Sequence, residues 1–537
     1  TISIRGKNSI SGTSSPLIVL DGIVFRGNMT DINPNDVESI DILKDASAAA
    51  IYGSQAANGV ILITTKTAKT ASKPIVSYNT SITLQSLSNK SLLPEGRDGF
   101  IRKVGDAFLN ESRILDEDGL PTSQMNPSWD PMSKLDSGLQ GAYDDGTDIN
   151  WWDRFTNATP YIWSNDVSVR GRSETSGYFM SFGYLDQKNL ILNDTYKRYS
   201  IRMNLDTQVT KWLKLGTQSF FTFSDYSGSS PDLSVVVKMP PLFVPTDENG
   251  NYIDRYTAYN NPYNTISTDN LDTRSHLSGT FYADVDIPFI KGLNYRINVS
   301  ENLIMNKDFS YNKTTGTTST SGGSASKAND SQYTWSVDNI VTYKRTFGKH
   351  DVNATFVYGA ERRKYEYTLA GAKDFTNGAL SYNDFSTADA TTKTANASAW
   401  QESSLYTMLR LGYVYAGKYI FTGTIRRDGF SGFGANNKFA VFPSGAVAWR
   451  INEEEFMKSL NWLDNLKLRL SYGQSGNRTM SRYETLAKLT PSTGNGSGYI
   501  SNLGEVNAGQ YISKLANDDL KWETTTTFNV GLDFGTF

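Results

Sequence analysis

The chain has 537 residues, a net charge of -3, a mean hydropathy of -0.43 and 12% aromatic residues, 30 Tyr among them. Its longest apolar stretches, such as 16–20 and 59–63, fall far short of the ~20 residues a membrane helix needs. That excludes a helical membrane protein but not a barrel, whose strands show lipid only at every second residue.

A pI of about 5.7 argues against nucleic acid as the partner, which would favour a basic stripe. Cysteine is absent, so there is no disulfide framework and no thiolate metal site. The chain opens at Thr1 with neither Met nor a signal peptide, which leads us to expect a longer exported precursor or a partial chain.

The first 66 residues read as a small α+β unit. Asn33 is placed to cap a short helix with Pro34 at its first position. Residues 38–43 alternate polar with apolar and predict a strand. Asp45 is placed to cap a second helix over the alanines that follow, with Gly53 as its stop. Residues 60–65 predict a buried strand.

From Ile75 onward the pattern is period-two alternation. Tyr199, Ile201, Met203, Leu205 and Val209 share one face of a strand, and Ser200, Arg202, Asn204, Asp206 and Gln208 share the other. Leu466, Leu468, Leu470 and Tyr472 oppose Lys467, Arg469, Ser471 and Gly473. Phe528, Val530, Leu532 and Phe534 oppose Asn529, Gly531 and Asp533. There are about fourteen such segments of roughly ten residues, the length a tilted membrane strand requires. A soluble sandwich or propeller also alternates. Two features favour a membrane wall instead. The polar faces carry Arg, Lys and Asp, which suits a wet lumen. The apolar faces carry aromatics near their ends, as at Tyr199, Trp335 and Tyr472, which suits interfacial girdles.

The links point the same way. Short ones near 171–176, 210–212, 288–292, 347–350 and 416–417 alternate with long ones at 86–162, 227–274, 307–332, 367–403 and 474–521. Membrane barrels pair tight periplasmic turns with long external loops in this manner. The link 451–465 is an exception, longer on the periplasmic side, and its run 453–458 predicts a short helix. The long loops are rich in Gly, Ser, Thr and Asn, and 314–326 approaches low complexity.

Catalysis finds little support. His276 reads at a strand start and His350 in a tight turn, and neither neighbours a nucleophile motif. Residues 116–119 and 247–250 look like fragments of calcium loops but lack the full spacing and read as turns. We expect no cofactor, these turns leaving open only a loop calcium. The Gly-rich stretch 494–498 lacks the strand-to-helix context of a phosphate cradle.

Several long motifs carry a resemblance. Ser3-Ile4-Arg5-Gly6, then Ser15-Pro16-Leu17-Ile18-Val19-Leu20-Asp21-Gly22, then the run 32–66 ending Gly59-Val60-Ile61-Leu62-Ile63-Thr64-Thr65-Lys66, resemble the plug of SusC/RagA-like TonB-dependent transporters. Matching barrel motifs include Tyr196-Lys197-Arg198-Tyr199-Ser200, Arg426-Arg427-Asp428-Gly429, Phe442-Pro443-Ser444, Trp449-Arg450-Ile451, Asn465-Leu466-Lys467 and Leu520-Lys521-Trp522-Glu523-Thr524-Thr525-Thr526. The matches span nearly the whole chain.

The resemblance implies an all-β fold, an antiparallel transmembrane β-barrel with a small α+β plug domain in its lumen. Intact members have about 22 strands, against about 14 here. Residues 1–70 would be the C-terminal part of the plug and 71–537 the N-terminal portion of the barrel. The resemblance also implies TonB-dependent import of oligosaccharides across the outer membrane, under a SusD-like lipoprotein lid. Energy would come through TonB–ExbB–ExbD acting on a segment ahead of the plug. Import of peptides or of iron or cobalamin chelates is an alternative, as is a non-transporting surface-binding remnant. Phe537 falls out of parity with the outward set Phe528 to Phe534, so we expect the barrel to continue beyond this chain.

A plug that blocks a lumen and rearranges under pull needs polar contacts with the wall. Arg5, Asp21, Asp36, Glu38, Asp41, Lys44 and Asp45 are the charged candidates, several of which would serve equally well as helix caps or solvated charges. Sugar recognition needs flat aromatic faces, with amides or carboxylates for hydroxyls. The external loops offer Trp129, Tyr143, Trp151, Trp152, Trp400, Tyr499 and Tyr511, with Asp144, Asp145 and Asp148 nearby. Tyr and Trp also belong at a rim or girdle without any ligand.

Overall fold

The computed structural model describes residues 15–43, 50–56, 58–69, 72–89, 93, 95–256, 259–313, 322–459, 462–478, 482–491, 498–500 and 506–536. Two sheets organise them. The smaller has four strands in the order β2-β1-β4-β3. They are β1 (Leu17–Leu20), β2 (Ile23–Val24), β3 (Val37–Leu43) and β4 (Val60–Thr65). β1 runs parallel to β4 and antiparallel to β2, and β3 pairs antiparallel with β4. Asp21 and Gly22 turn the β1–β2 hairpin with φ of 51° and 91°, the doubly positive pair that matches a hairpin's twist. β4 is the buried strand of the unit. Its Val60 packs with Val19 and Ala56, and Ile61 and Ile63 pack with Leu20, Phe25 and Ile32.

Asn33 accepts a hydrogen bond from the Asn35 backbone and starts a single 3-10 turn, Pro34–Asp36. The helix expected from Asp45 falls on 44–49, outside the described residues. The chain resumes as the 3-10 run Ala50–Ala56, bent at Gly53 with φ 72°. A Cβ on Gly53 would collide with the Arg426 guanidinium, so the neighbouring wall, as well as the backbone, requires glycine there.

The larger sheet has fourteen strands, each antiparallel to the next in chain order. They are β5 (Ser72–Leu84), β6 (Tyr161–Arg172), β7 (Ser176–Lys188), β8 (Thr195–Thr210), β9 (Leu213–Asp225), β10 (Asp269–Asp286) and β11 (Leu293–Asn312). Then come β12 (Ser324–Phe347), β13 (His350–Lys373), β14 (Thr394–Tyr415), β15 (Tyr419–Phe430), β16 (Phe439–Arg450), β17 (Leu463–Asn477) and β18 (Glu523–Thr536). β5 and β18 are not paired with each other among the described residues. The sheet nevertheless curls around the small unit. Asp166 of β6 bonds Asn33 and Asn35, while Ala50–Ala56 packs against β15, β16 and β17.

The wall is inside out by the standard of a soluble protein. Phe528, Val530, Leu532 and Phe534 are 66%, 64%, 62% and 60% exposed, whereas Arg202 is 3% exposed. On β8 the apolar row of Tyr199, Ile201 and Met203 faces outward, and Arg198, Ser200, Arg202 and Asn204 are buried against the small unit. An outward apolar face on consecutive strands needs lipid to cover it. Ile201→Arg, midway along β8, is therefore expected to cost about 2–4 kcal/mol of folding free energy in lipid vesicles, read by urea titration. A change within about 0.5 kcal/mol would place that face in water.

Three features differ from the sequence reading. Strands run well past ten residues, with 20 in β11, 24 in β12 and β13, and 22 in β14. Their outer halves are polar on both faces, as at Lys307-Asp308 and Asn329-Asp330, so alternation fades there and the strand reads as loop. Next, the external links 189–194 and 431–438 are short, so tight and long links do not alternate strictly. Both are packed: Leu192 lies against an apolar cluster of the external loops, and Phe433 against Trp522 at 4.7 Å between ring centroids. That external cluster unites Leu139, Trp151, Phe155, Val236 and Leu242, so the first two long loops fold into one cap.

The third is the link after β16, expected on the periplasmic side, which forms two 3-10 turns, Ile451–Glu453 and Glu455–Met457, in place of one helix. Glu454 between them is extended and is held by Lys418 at 2.9 Å, Tyr419 at 2.7 Å and Trp449 at 3.0 Å. The hydrogen bonds from Lys418, Tyr419 and Trp449 lower its pKa from 4.5 to about 2. A depressed carboxylate stabilises the fold above its unfolded pKa and loses that contribution as pH falls through the folded one. This turn is therefore expected to loosen between pH 4.5 and about 2, a transition that Glu454→Gln abolishes, as read by amide exchange over 451–459.

Candidate functional site

The contacts between the small unit and the wall form the best-defined polar site. Asp21 sits in the β1–β2 turn and accepts from the Thr65 backbone and hydroxyl, both at 2.7 Å, which fixes it at the end of β4. Asp36 ends the turn capped by Asn33. Arg202 of β8 projects between these carboxylates, 3.4 Å from Asp21 and 3.5 Å from Asp36, with its guanidinium 5.2 Å from the Phe220 ring centroid. Burial pushes the Asp36 carboxyl up, against the opposing pull of the Ser181 hydroxyl and Arg202.

A second anchor lies beside it. Asp31 Oδ2 is 2.8 Å from His276 Nδ1 and 3.3 Å from Arg274, and His276 Nε2 is 2.8 Å from Asn302. Burial alone would raise the Asp31 carboxyl. The His276 hydrogen bond and the Arg274 charge outweigh it and hold the pKa below the usual range. His276 lies well inside β10 and is fully buried, not at a strand start as its sequence suggested. Backbone carbonyls are held as well. Arg198 donates to Thr30 O at 2.7 Å, Thr222 to Asp31 O at 2.9 Å, and Asn204 to Lys66 O at 3.1 Å.

The opposite flank is anchored by fewer, stronger contacts. Arg26 donates twice to Glu361 of β13, at 2.9 and 2.7 Å, and once to Gln55 at 2.7 Å. Arg426 of β15 donates to Ile51 O at 2.6 Å and is paired with Asp428. Glu361 also lies 3.7 Å from Arg478, at the start of the long link after β17. Above it, Glu402 takes Arg363 at 2.6 Å and Arg482 at 2.7 Å. Arg482 caps the Trp400 ring at 3.4 Å, and Trp400 stacks on Tyr365 at 5.4 Å between centroids. Such charged pairs are costly to break one-sidedly once water is excluded.

The sequence candidates divide accordingly. Asp21 and Asp36 meet the wall through Arg202. Glu38 pairs with Lys69 at 2.5 Å, and Asp41 lies on the exposed β3, 3.4 Å from the Ser39 hydroxyl. Neither has a wall partner among the described residues. Arg5, Lys44 and Asp45 lie outside the described residues. Among the aromatics, Trp151 is buried in the cap core and donates to Pro240 O at 2.8 Å, so its ring has no free face. Trp152 is half-buried on the same helix. Tyr143 lies under Arg97 at 5.1 Å, and Trp129 packs on Phe108 at 6.2 Å. Tyr511 is exposed on an external hairpin, and the Tyr499 side chain is outside the described residues. Trp400 is the candidate set in a charged luminal cluster. Asp116 and Asp247 accept backbone N–H bonds at 2.8 Å from Leu120 and Asn251, the turn chemistry their spacing suggested.

The sequence reading missed Arg26, His276, Glu361, Arg363, Glu402, Arg426 and Arg478. One signal was available for His276 and Arg426, which sit on the polar parity of alternating strands, whereas Arg363 and Glu402 lie where both faces are polar.

Comparison with known proteins gives a consistent answer. Residues 1–60 match the family described as TonB-dependent Receptor Plug Domain, and 239–537 match TonB dependent receptor-like, beta-barrel. The whole chain is 33% identical over 557 residues to TonB-dependent receptor P3 of Formosa agariphila, covering 50% of that protein. Over 573 residues, 99% of the chain is 27% identical to TonB-dependent receptor SusC of Bacteroides thetaiotaomicron, covering 53% of it. The chain thus spans about half the length of these relatives. The structure superposes on the RagAB peptide importer with a TM-score of 0.82 and 25% identity, over 100% of this chain and 61% of that one.

Proposed function

The chain belongs to the TonB-dependent receptor family, in its SusC/RagA-like branch, a family of receptors and transporters and not of enzymes, and from that premise we propose that it imports oligosaccharides across the outer membrane. Residues 1–70 act as part of the plug and 71–537 as part of the barrel. A SusD-like lipoprotein covers the external mouth, and TonB–ExbB–ExbD supplies the pull. One observation carries the reading: an apolar face turned outward and a charged face sealed onto a plug. That arrangement suits a gated pore in lipid.

Trp400, Arg363, Arg482 and Glu402 stand on the external side of the plug, where an arriving ligand would first meet fixed polar groups. The test uses the complete natural protein in its outer membrane. Fluorescently tagged maltoheptaose, xylohexaose and laminarihexaose are offered with and without an uncoupler, beside a tagged hexapeptide mixture. Accumulation of one sugar that stops with the uncoupler supports the reading. Accumulation of peptide alone, or binding without accumulation, rejects it. Trp400→Ala removes the stacking that positions Arg482 and is expected to lower sugar accumulation about tenfold at unchanged protein level.

A further inference from the structure

We propose that ligand passes the plug along one sector of wall, formed by β11, β12 and the stretch of β10 that follows His276, whose chemistry suits a neutral, polyhydroxylated chain. The inference rests on reading the chain as an importer.

The plug is fastened on two flanks and free between them. On one flank, β6 to β9 and the first half of β10 hold it through Asp166, Arg198, Arg202, Thr222 and His276. On the other, Glu361 and Arg426 hold Arg26 and Ile51. Between them a cavity of about 150 Å³ separates residues 20–26 from the wall. Its wall side presents Ser278, Thr280, Asn298, Ser300, Thr334 and Ser336, all small, neutral and able to hydrogen-bond. None of the six bonds to the plug among the described residues. Thr280 and Ser300 bond each other at 3.0 Å, and Asn298 accepts from Arg296 on its own strand at 2.8 Å.

Two further observations point to a route. Thr334 Oγ1, Gln218 Oε1 and Asn302 Oδ1 are buried at this cavity with no hydrogen-bond partner among the described residues. Buried polar atoms are ordinarily satisfied, so these call for water or for ligand hydroxyls. Most charges lie at the margins, Asp21 and Arg202 on one side, Arg26, Glu361 and Arg426 on the other; on the sector's own strands the cavity also meets the exposed Glu301 of β11 and Asp338 of β12, the latter held by the Tyr406 hydroxyl. A force on the plug opens the interface where least must break. Parting it from Ser300 or Thr334 breaks no plug bond, whereas parting it from β8 breaks buried ion pairs.

The chain contains no cysteine, so introduced thiols report single positions. In the complete natural protein, with any cysteine outside this chain replaced by serine, Ser300→Cys and Thr334→Cys are compared with Thr222→Cys on the fastened flank. Methanethiosulfonate ethylammonium is expected to modify the first two at least about tenfold faster than the third. Modification at 300 and 334 is then expected to abolish energised accumulation of whichever tagged oligosaccharide of the above panel the parent takes up. Equal rates at all three positions, or undiminished accumulation after full modification, would overturn the route while leaving import intact. Accumulation of no panel sugar by the parent would overturn the reading as an oligosaccharide importer, and with it a route for a polyhydroxylated chain.

Discussion

Replacing Arg202 with alanine is expected to unseat the plug from β8 and to cost about 3 kcal/mol, the lower end of the range for stripping one partner from a buried ion pair. The lower end is chosen because both contacts are long, 3.4 Å to Asp21 and 3.5 Å to Asp36. Arg202 and both carboxylates are almost wholly buried, so solvent screening does little to soften the loss. Two acids would face each other across the vacated site, and burial already pushes Asp36 up. Lysine is not expected to rescue, since one ammonium cannot span two carboxylates as a planar guanidinium does. A charge-free site is a different matter. Arg202→Met combined with Asp21→Asn and Asp36→Asn removes charge on both sides and is expected to recover most of the loss. Amide exchange over 17–43 and 58–66 reads the result in detergent. Exchange that is unchanged in Arg202→Ala would mean that this triad does not fasten the plug.

The sequence exposed the architecture better than the site, for a physical reason. Alternation is a local signal. The opposed faces of 199–209 and 528–534 are legible within ten residues because the pleat sends neighbours to opposite sides. The count of fourteen strands and the outward direction of the oily face follow from it. Where the wall leaves the membrane both faces are wet, and the outer halves of β11 to β14 lost their signature. The short link 189–194 was hidden for the opposite reason, because Leu192 is apolar in order to seat the cap. Pairing across the lumen has no local trace at all. Asp31 and His276 are 245 residues apart and Arg26 and Glu361 are 335 apart. Asp21 and Asp36 could be nominated as charged plug residues, and Arg202 as one of many luminal cations. That the three meet is a property of strand register, which only the folded chain displays.

Glu361→Gln should cut the line between the external loop and the plug. Glu361 is shared, taking Arg26 of the plug on both oxygens and standing 3.7 Å from Arg478 of the loop after β17. All three side chains are 11–12% exposed, so each charge leans on the others more than on water. Glutamine keeps the shape and one acceptor but leaves two buried guanidiniums without their carboxylate, a loss of about 2–4 kcal/mol by analogy with truncated buried pairs. Glu402, whose charge also reaches Arg478, is already engaged by Arg363 and Arg482. The sharper expectation concerns coupling. In the parent, Arg478→Met changes the charge balance at Glu361 and is expected to alter amide exchange of the plug segment 17–26 about fivefold, although Arg478 touches no plug residue among those described. In the Glu361→Gln background the same change is expected to do nothing there, because the shared carboxylate that joined the two arginines is gone. An Arg478→Met effect of equal size in both backgrounds would show that loop and plug communicate by some other path. If the coupling runs through Glu361, a ligand that draws Arg478 outward would remove a like charge from beside Arg26 and leave the shared carboxylate to Arg26 alone, so occupancy of the mouth would tighten this flank of the plug until a pull arrived from the other side of the membrane.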